Sequence, residues 1–465
     1  MTMSDHNRYR SWKPWTAALL GLLLVAGVSG CEEGFLEVND PDVVPPESLE
    51  GPANVSVRIN TIIGDFQEAM DQYVLYTGLF TDEMILSGTF PTRIDVDERV
   101  LQPNNGTLND DLYEPLHVSR ASADEGVAAF EQALGADAFS EVQAEVRDGI
   151  AFGKLYGGYD RIFFSELYCQ SIFGGSDGES APVGPDARME EALTMLREAE
   201  TAANEAGLPT VASAARVGQG RALLWLGRYQ EAANAVSGVA DGFYYPAEYS
   251  GNTTAQANEV WQLTYGTQGF NARWTVGDGT AGNRHNERWP YFEEWVDQNL
   301  LQTENNVDAP EIGIPIVLQT VYNGAGNSIP VATGWEARMI EAEAMLQNGQ
   351  FGDAEQMVND MLSNPGVNPL TTSNFSLNDG QPPELGAFDP VDFTAPLSED
   401  DVRQLARARA AGLWLSGTRQ GTLRRFIDQY GVDLYPQATQ GSDTSFPVTE
   451  QELENNDNID SACGG

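Results

Sequence analysis

A chain of 465 residues exceeds the size at which a single core usually stops growing, so one large layered body or two packed domains are expected. Its 41% hydrophobic and 9% aromatic content excludes wholesale disorder. The 69 acidic against 25 basic residues, a net charge of −44, argue against a nucleic-acid partner, because such a body repels phosphate, and three histidines are too few for most His-based metal sites or a Ser-His-Asp hydrolase.

The N-terminus reads as an address. Arg8, Arg10 and Lys13 precede an apolar run at residues 17–28, followed by Val28-Ser29-Gly30-Cys31. A positive flank, about a dozen apolar residues and small residues before a cysteine make a lipoprotein signal, too short for a spanning helix. Residues 1–30 are then the signal peptide and Cys31 the lipid attachment point, with a plain signal peptide as the alternative. Acyl chains on Cys31 give stable anchoring, since each buried methylene contributes about 0.8 kcal/mol. Residues 31–52 read as tether and extended strap, because Pro41, Pro45 and Pro46 forbid regular structure. Lysine occurs only at Lys13 and Lys154, while arginine supplies the other positives. Acid-rich, lysine-poor surfaces stay hydrated in high salt, and arginine-biased coding would leave the same composition.

Residues 53–465 read as a mainly helical body. Ile59, Ile62, Ile63, Phe66 and Met70 recur at helical steps. Further amphipathic runs cover about 110–134, 141–166 and 189–206, with a polar loop expected at 87–109. Two segments then repeat one pattern. Residues 221–236 and 342–358 align Gly227 with Gly349, Tyr229 with Phe351, and Ala232 with Ala354. Aromatic-x-x-Ala after a glycine turn is the tetratricopeptide signature: the glycine permits the tight turn, the aromatic plugs the crevice, and alanine lets helices approach. Helix pairs are expected near 210–239 and 335–363, with a degenerate unit near 141–206. The insertion at 240–330 reads as short strands and loops, with strands at 244–246, 259–263 and 314–318. Ser398-x-x-Asp401 opens a last long helix with a capping-box variant.

The lipobox, the strap Phe35-Leu36-Glu37-Val38 with Asp40-Pro41, the helix pairs, the arginine-rich stretch at 407–426 and the closing Phe446-Pro447-Val448-Thr449-Glu450-Gln451-Glu452-Leu453 together resemble the SusD/RagB family of nutrient-binding outer-membrane lipoproteins. Glu32 and Glu33 after the lipid cysteine resemble a surface-export signal. Two departures stand out: Ser416 where the family usually has Glu, and Thr422 where it often has Asp. The local ion pairs of that helix must be remade or absent. The resemblance implies a single helical body that lies over a TonB-dependent, SusC-like barrel at the cell outer membrane. It would face the exterior, bind glycan or peptide fragments, deliver them inward, and perform no chemistry. It implies no cofactor and no metal.

Aromatic density points to the ligand side. Residues 243–295 hold 12 aromatics in 53 residues. Trp274, Trp289 and Tyr291 sit among Gly, Asn, Arg and Pro, which suits exposed rings that stack on the apolar faces of sugars. The alternative is that they fill the insertion's own core. Arg93 and Asn105 are polar candidates because the facing loop plays that part in the resembled family. Trp225, Trp261, Trp335 and Trp414 read as core. Asp95-x-Asp97-Glu98 reads as a solvated acidic loop rather than a calcium site, since it lacks the glycine and distal Glu of an EF-hand. With 69 acids, pairs such as Glu293-Glu294 or Asp110-Asp111 arise by chance and give a glycosidase reading little support. A tetratricopeptide scaffold for protein assembly at the outer membrane is the alternative function. With Cys31 taken by lipid, Cys169 and Cys463 remain for an oxidising compartment, where a bond would pin the C-terminal tail; two free thiols are the alternative.

Overall fold

The helical periodicity that opens the body becomes α1, Val55–Phe80, which buries Ile62, Phe66 and Met70 as that spacing requires. The structure is a computed structural model; it describes residues 51–86, 90–174, 180–266, 274–275, 290–308, 315–372, 385–436, 439–459 and 463. The signal peptide, Cys31, nearly all of the strap, and Trp289 lie outside the described residues. After β1, Ile85–Leu86, the region expected to be a polar loop instead holds α2, Pro91–Asp97, and a turn at Gly106–Leu108. Pro91 sits in the first turn of α2, where its missing N–H costs nothing.

Three long helices follow: α3, Glu114–Ala133; α4, Gln143–Leu167; and α5, Pro185–Ala206. α4 packs along both α3 and α5. The two repeats then appear as helix pairs. α6, Pro209–Trp225, turns at Gly227 into α7, Tyr229–Val236. Between the repeats lie β2, Tyr244–Ala247; β3, Trp274–Thr275; β4, Leu301–Asp308; β5, Pro315–Gln319; and β6, Ile329–Thr333. The second pair is α8, Gly334–Gln347, and α9, Phe351–Leu362, joined at Gly349. Gly227 and Gly349 have φ of +68° and +76°, the left-handed region that a side chain would strain. Ala232 and Ala354 are fully buried, and α7 packs on α8, so the pairs stack on each other. α10, Glu399–Leu413, starts with the expected capping box: the Asp401 N–H donates to Ser398 Oγ at 3.2 Å and the Ser398 N–H returns to Asp401 Oδ2 at 2.7 Å. α11, Arg419–Tyr430, and α12, Glu450–Asn455, complete the helices. β2 pairs with β6 and β4 with β5, both antiparallel.

The body is mainly helical, as expected, with most of its short strands in the insertion. Residues 259–263, read as a strand, form a helical turn, because Asn258 Oδ1 caps it by accepting the Trp261 N–H at 2.9 Å. Trp335 and Trp414 are buried core, but Trp225 and Trp261 are half-buried; Trp225 sends its Nε1–H to Asp186 at 2.9 Å. Asp97 and Glu98, read as solvated, are 1% and 3% exposed. Glu98 Oε2 accepts the Gln440 N–H at 3.0 Å, so its partner comes from 342 residues away.

The ion pairs of α11 are remade over long range. Arg419 grips Asp82 at 2.8 and 2.5 Å. Arg425 grips Glu343 of α8 through both guanidinium nitrogens, and Arg221 of α6 grips Glu166 of α4 in the same bidentate way. All six side chains are at most 7% exposed. Thr422 accepts from Arg409 Nε at 3.3 Å, and Ser416 bonds the Leu413 carbonyl at 2.5 Å. A disulfide joins Cys169 to Cys463 with the Cα atoms 6.0 Å apart. Beside it, Phe446 is buried and its N–H donates to the Leu167 carbonyl at 2.8 Å, which seats the C-terminal segment on the end of α4. Among the described residues no helix is long and apolar enough to cross a membrane.

Candidate functional site

The loop before α3 and the start of the insertion meet on α1. Leu86 of β1 pairs with Trp274 of β3, which brings the aromatic insertion beside the 90–113 loop. The turn after Asn258 is held on α1 from two sides: the Glu259 N–H donates to Asp71 Oδ2 at 3.2 Å, and Gln72 Nε2 donates to Glu259 Oε2. Burial, and then Glu259, push the Asp71 carboxyl well up, and burial followed by Asp111 pushes Glu259 up. Both acids serve to fasten the insertion. Tyr249 adds a bond from its hydroxyl to the Gln67 carbonyl at 2.7 Å.

The loop itself presents an exposed aromatic ring. Phe90 precedes Pro91 at the start of α2 and is 53% exposed. The Arg93 guanidinium lies 5.3 Å from its ring centroid and backs the ring. Arg93 is in turn held by Asp111 at 3.5 Å, and Asp111 accepts the Tyr76 hydroxyl at 2.5 Å. A ring on a loop tip is thus tied through a guanidinium and a carboxylate to the core helix α1. Sequence reading missed Phe90 because the loop was judged by its polar residues; an aromatic directly before a proline in such a loop was the available signal.

The other expected site residues are distributed differently. Asn105 is 2% exposed, and its amide is spent inside the loop: Oδ1 accepts the Leu108 N–H at 3.1 Å and Nδ2 donates to the Thr92 carbonyl at 2.8 Å. It shapes the loop that carries Phe90 and Arg93 and offers no free amide to a ligand. Tyr291 is packed rather than presented on a loop, stacking on Trp295 at 5.6 Å with the Arg419 guanidinium 5.9 Å from its ring. Burial pushes its hydroxyl pKa up, against the pull of Arg419. Trp274 is placed by its backbone at the β1–β3 pairing. Among the described residues, concave surfaces include a polar groove of about 740 Å³ between residues 99–103 and 441–445 and one of about 410 Å³ beside Lys154, neither lined by Phe90. The Phe90 ring stands as a platform. Among the described residues no group of three or more His, Cys, Asp or Glu side chains could hold a metal ion. His117 is half-buried among Tyr113, Phe164 and Phe173, and desolvation, helped by Arg120 and Arg188, lowers its pKa to about 3, so it stays neutral.

A helical body of stacked helix pairs, with a strand-bearing insertion beside an aromatic loop, defines the class. Neither a protein-family model nor a curated protein matches the sequence. Solved structures do. A SusD/RagB family protein from Bacteroides thetaiotaomicron superposes with a TM-score of 0.59 at 10% identity, over 85% of this chain and 94% of that one. The surface glycan-binding protein A from Bacteroides uniformis gives 0.60 at 10% identity, over 88% and 99%. A SusD superfamily protein from Bacteroides vulgatus gives 0.57 at 13% identity, over 87% and 97%. The chain has the SusD-like fold.

Proposed function

We propose that the protein is a surface-exposed outer-membrane lipoprotein, anchored through acylated Cys31, that binds glycan or peptide fragments without altering them and delivers them to a TonB-dependent, SusC-like barrel. The observation that carries this reading is the exposed Phe90 ring, backed by Arg93, at the junction of the loop and the insertion of a SusD-like body. The lipobox at residues 28–31 supports the anchor, and the glycan-binding name of a structural neighbour supports the ligand class. Phe90, Trp274 and Trp289 supply stacking faces in this reading, and Arg93 a hydroxyl donor, while Asn105 and Tyr291 support the surface from beneath. A shallow platform suits a lid that must release its cargo, because few ligand atoms are enclosed.

The test is a glycan and peptide array followed by calorimetry on the ligand it returns. A stacking ring contributes about 1 kcal/mol beyond burial, so Phe90→Ala should weaken binding about fivefold to tenfold. The Phe90→Ala/Trp274→Ala double variant should nearly abolish a weak affinity. Unchanged affinity in a folded double variant places the ligand elsewhere. The barrel should copurify in gentle detergent, and purification alone at native abundance would remove the delivery role.

A further inference from the structure

The two walls of the polar groove at residues 99–103 and 441–445 come from distant parts of the chain and are fastened to each other. The Arg99 guanidinium donates to the Asp443 carbonyl from Nε at 2.8 Å and from Nη2 at 2.6 Å, and from Nη1 to the Pro436 carbonyl at 3.2 Å. The same guanidinium lies 4.2 Å from the Tyr435 ring centroid. The Leu101 N–H donates to Asp443 Oδ2 at 2.8 Å, and the Gly441 N–H to the Glu98 carbonyl at 2.9 Å. A side chain at Gly441 would run into the Arg99 carbonyl, so glycine lets the walls meet. Arg99 and Cys463, both in the lining, have φ of +56° and +48°, a conformation that a residue with a side chain keeps only where its surroundings hold it. The Cys169–Cys463 bond fixes that edge. Within these fixed walls polar groups are left over. Among the described residues, the Gln102 amide and the hydroxyls of Ser442, Thr444 and Ser445 take part in no hydrogen bond, and all four residues are exposed or half-buried.

We propose that this groove is a second ligand site, separate from the Phe90 platform, and that it takes a neutral sugar. Its volume of about 740 Å³ falls within the range of about 300–1,000 Å³ found for small-ligand sites. The chemistry selects the guest. Hydroxyl and amide groups both donate and accept, which matches a sugar hydroxyl, itself donor and acceptor. Val100, 37% exposed, with Pro103 and Pro447, adds apolar surface for the C–H face of a ring. The charged side chains of the lining are Arg99, which is spent on carbonyls, and Asp443. An acidic sugar therefore meets a carboxylate and a body of −44 with no guanidinium on offer in the lining. Neither wall is a β-strand, so an extended peptide finds no edge to pair with. The groove lies past the far end of α2 from Phe90, and seven helical residues span about 10 Å, so a sugar fits there without touching that ring. Because the walls are fastened before the ligand arrives, little ordering opposes binding.

The experiment uses cellobiose and sucrose as neutral probes and digalacturonate as the acidic one. Crystals of the protein soaked in each neutral sugar should show density for at least one of them between Gln102 and Ser445, and digalacturonate should leave the groove empty. Calorimetry in a Phe90→Ala background isolates the groove from the platform. There the bound neutral sugar should keep its affinity, and adding Gln102→Ala or Ser445→Ala should weaken it about fivefold each, the loss of one neutral hydrogen bond. Ser445→Trp, which fills the groove, should abolish it. Both positions face solvent, and unchanged thermal midpoints verify that these variants are folded. A groove empty of both neutral sugars, density beside Phe90 alone, or equal affinity for digalacturonate overturns the assignment. Loss of the groove density in Phe90→Ala overturns the separation of the two sites, whereas a groove that binds while Phe90→Ala changes nothing elsewhere leaves this site standing and removes the platform.

Discussion

Cutting the Arg425–Glu343 pair should reverse the sign of one pH dependence. The two side chains are 5% and 0% exposed and meet through both guanidinium nitrogens. Burial alone would push the Glu343 carboxyl up, but Arg425 overrides it and holds the group below its usual range. In the wild type, the pair's contribution is therefore present above the unfolded carboxylate pKa and lost as pH falls through the depressed folded value. Arg425→Met removes the guanidinium and leaves a buried carboxyl whose remaining close donor is the Tyr430 hydroxyl at 2.6 Å. Breaking a buried pair in this way costs about 3–5 kcal/mol, which for a chain this long is a drop of roughly 3–6 °C in the thermal midpoint. The orphaned carboxyl now has a raised pKa, so its contribution is present below about pH 4.5 and lost as pH rises. The deficit relative to wild type should thus be small near pH 4 and full by about pH 7. Unfolding followed by tryptophan fluorescence, with Trp335 and Trp414 as buried reporters, measures it. A deficit that does not change with pH, or a midpoint shift under about 1 °C, refutes the reasoning.

Glu83 gives a second pH test. Burial pushes its carboxyl from 4.5 up to about 8, against the Leu415 N–H and Arg419, so stability falls as pH rises from about 4.5 toward 8. Glu83→Gln should flatten that slope and exceed wild type at the alkaline end, and a flat wild-type midpoint over the same range would sink the idea. The Cys169–Cys463 bond spans 294 residues, for which the chain-entropy estimate is about 5 kcal/mol, so Cys169→Ser or reductant should lower the midpoint and free the tail to proteolysis. Alkylation of both thiols without reductant would show that no bond forms.

What could be read in the sequence follows the range of the interactions. The repeat at Gly227–Ala232 and Gly349–Ala354 was legible because turn, plug and close approach lie within six residues of each other. The amphipathic runs that became α1, α4 and α5 were legible for the same reason. The turn at Glu259–Trp261 was misread because Val260, Trp261 and Leu263 favour strands, while the cap from Asn258 and the anchor on Asp71 decide otherwise. Asp97 and Glu98 looked solvated because the segment that covers them arrives near residue 440. The replacements at Ser416 and Thr422 flagged missing local partners, but not that Asp82 and Glu343 would supply distant ones. On the ligand side, the approach of β3 to β1 is a long-range pairing, and Phe90 gains meaning only once that approach and its Arg93 backing are known.

The scarcity of lysine takes on a second cause from these distances. Arg99, Arg188, Arg221, Arg409, Arg419 and Arg425 are all at most 7% exposed. Three of them hold a carboxylate through two parallel bonds, a geometry an ammonium group cannot reproduce. Lysine at those positions would leave one carboxylate oxygen unpaired in the interior, so packing alone requires arginine there. The requirement covers three residues of the 23 arginines, and the remaining 20 still face two lysines, so the bias extends well beyond these pairs. The two parts respond differently to salt. Surface charges more than a Debye length apart lose their interaction as ionic strength rises, whereas buried pairs are screened far less. High salt should therefore relax the mutual repulsion of a −44 surface while leaving the arginine–carboxylate framework of α11 intact, a combination that favours the folded state.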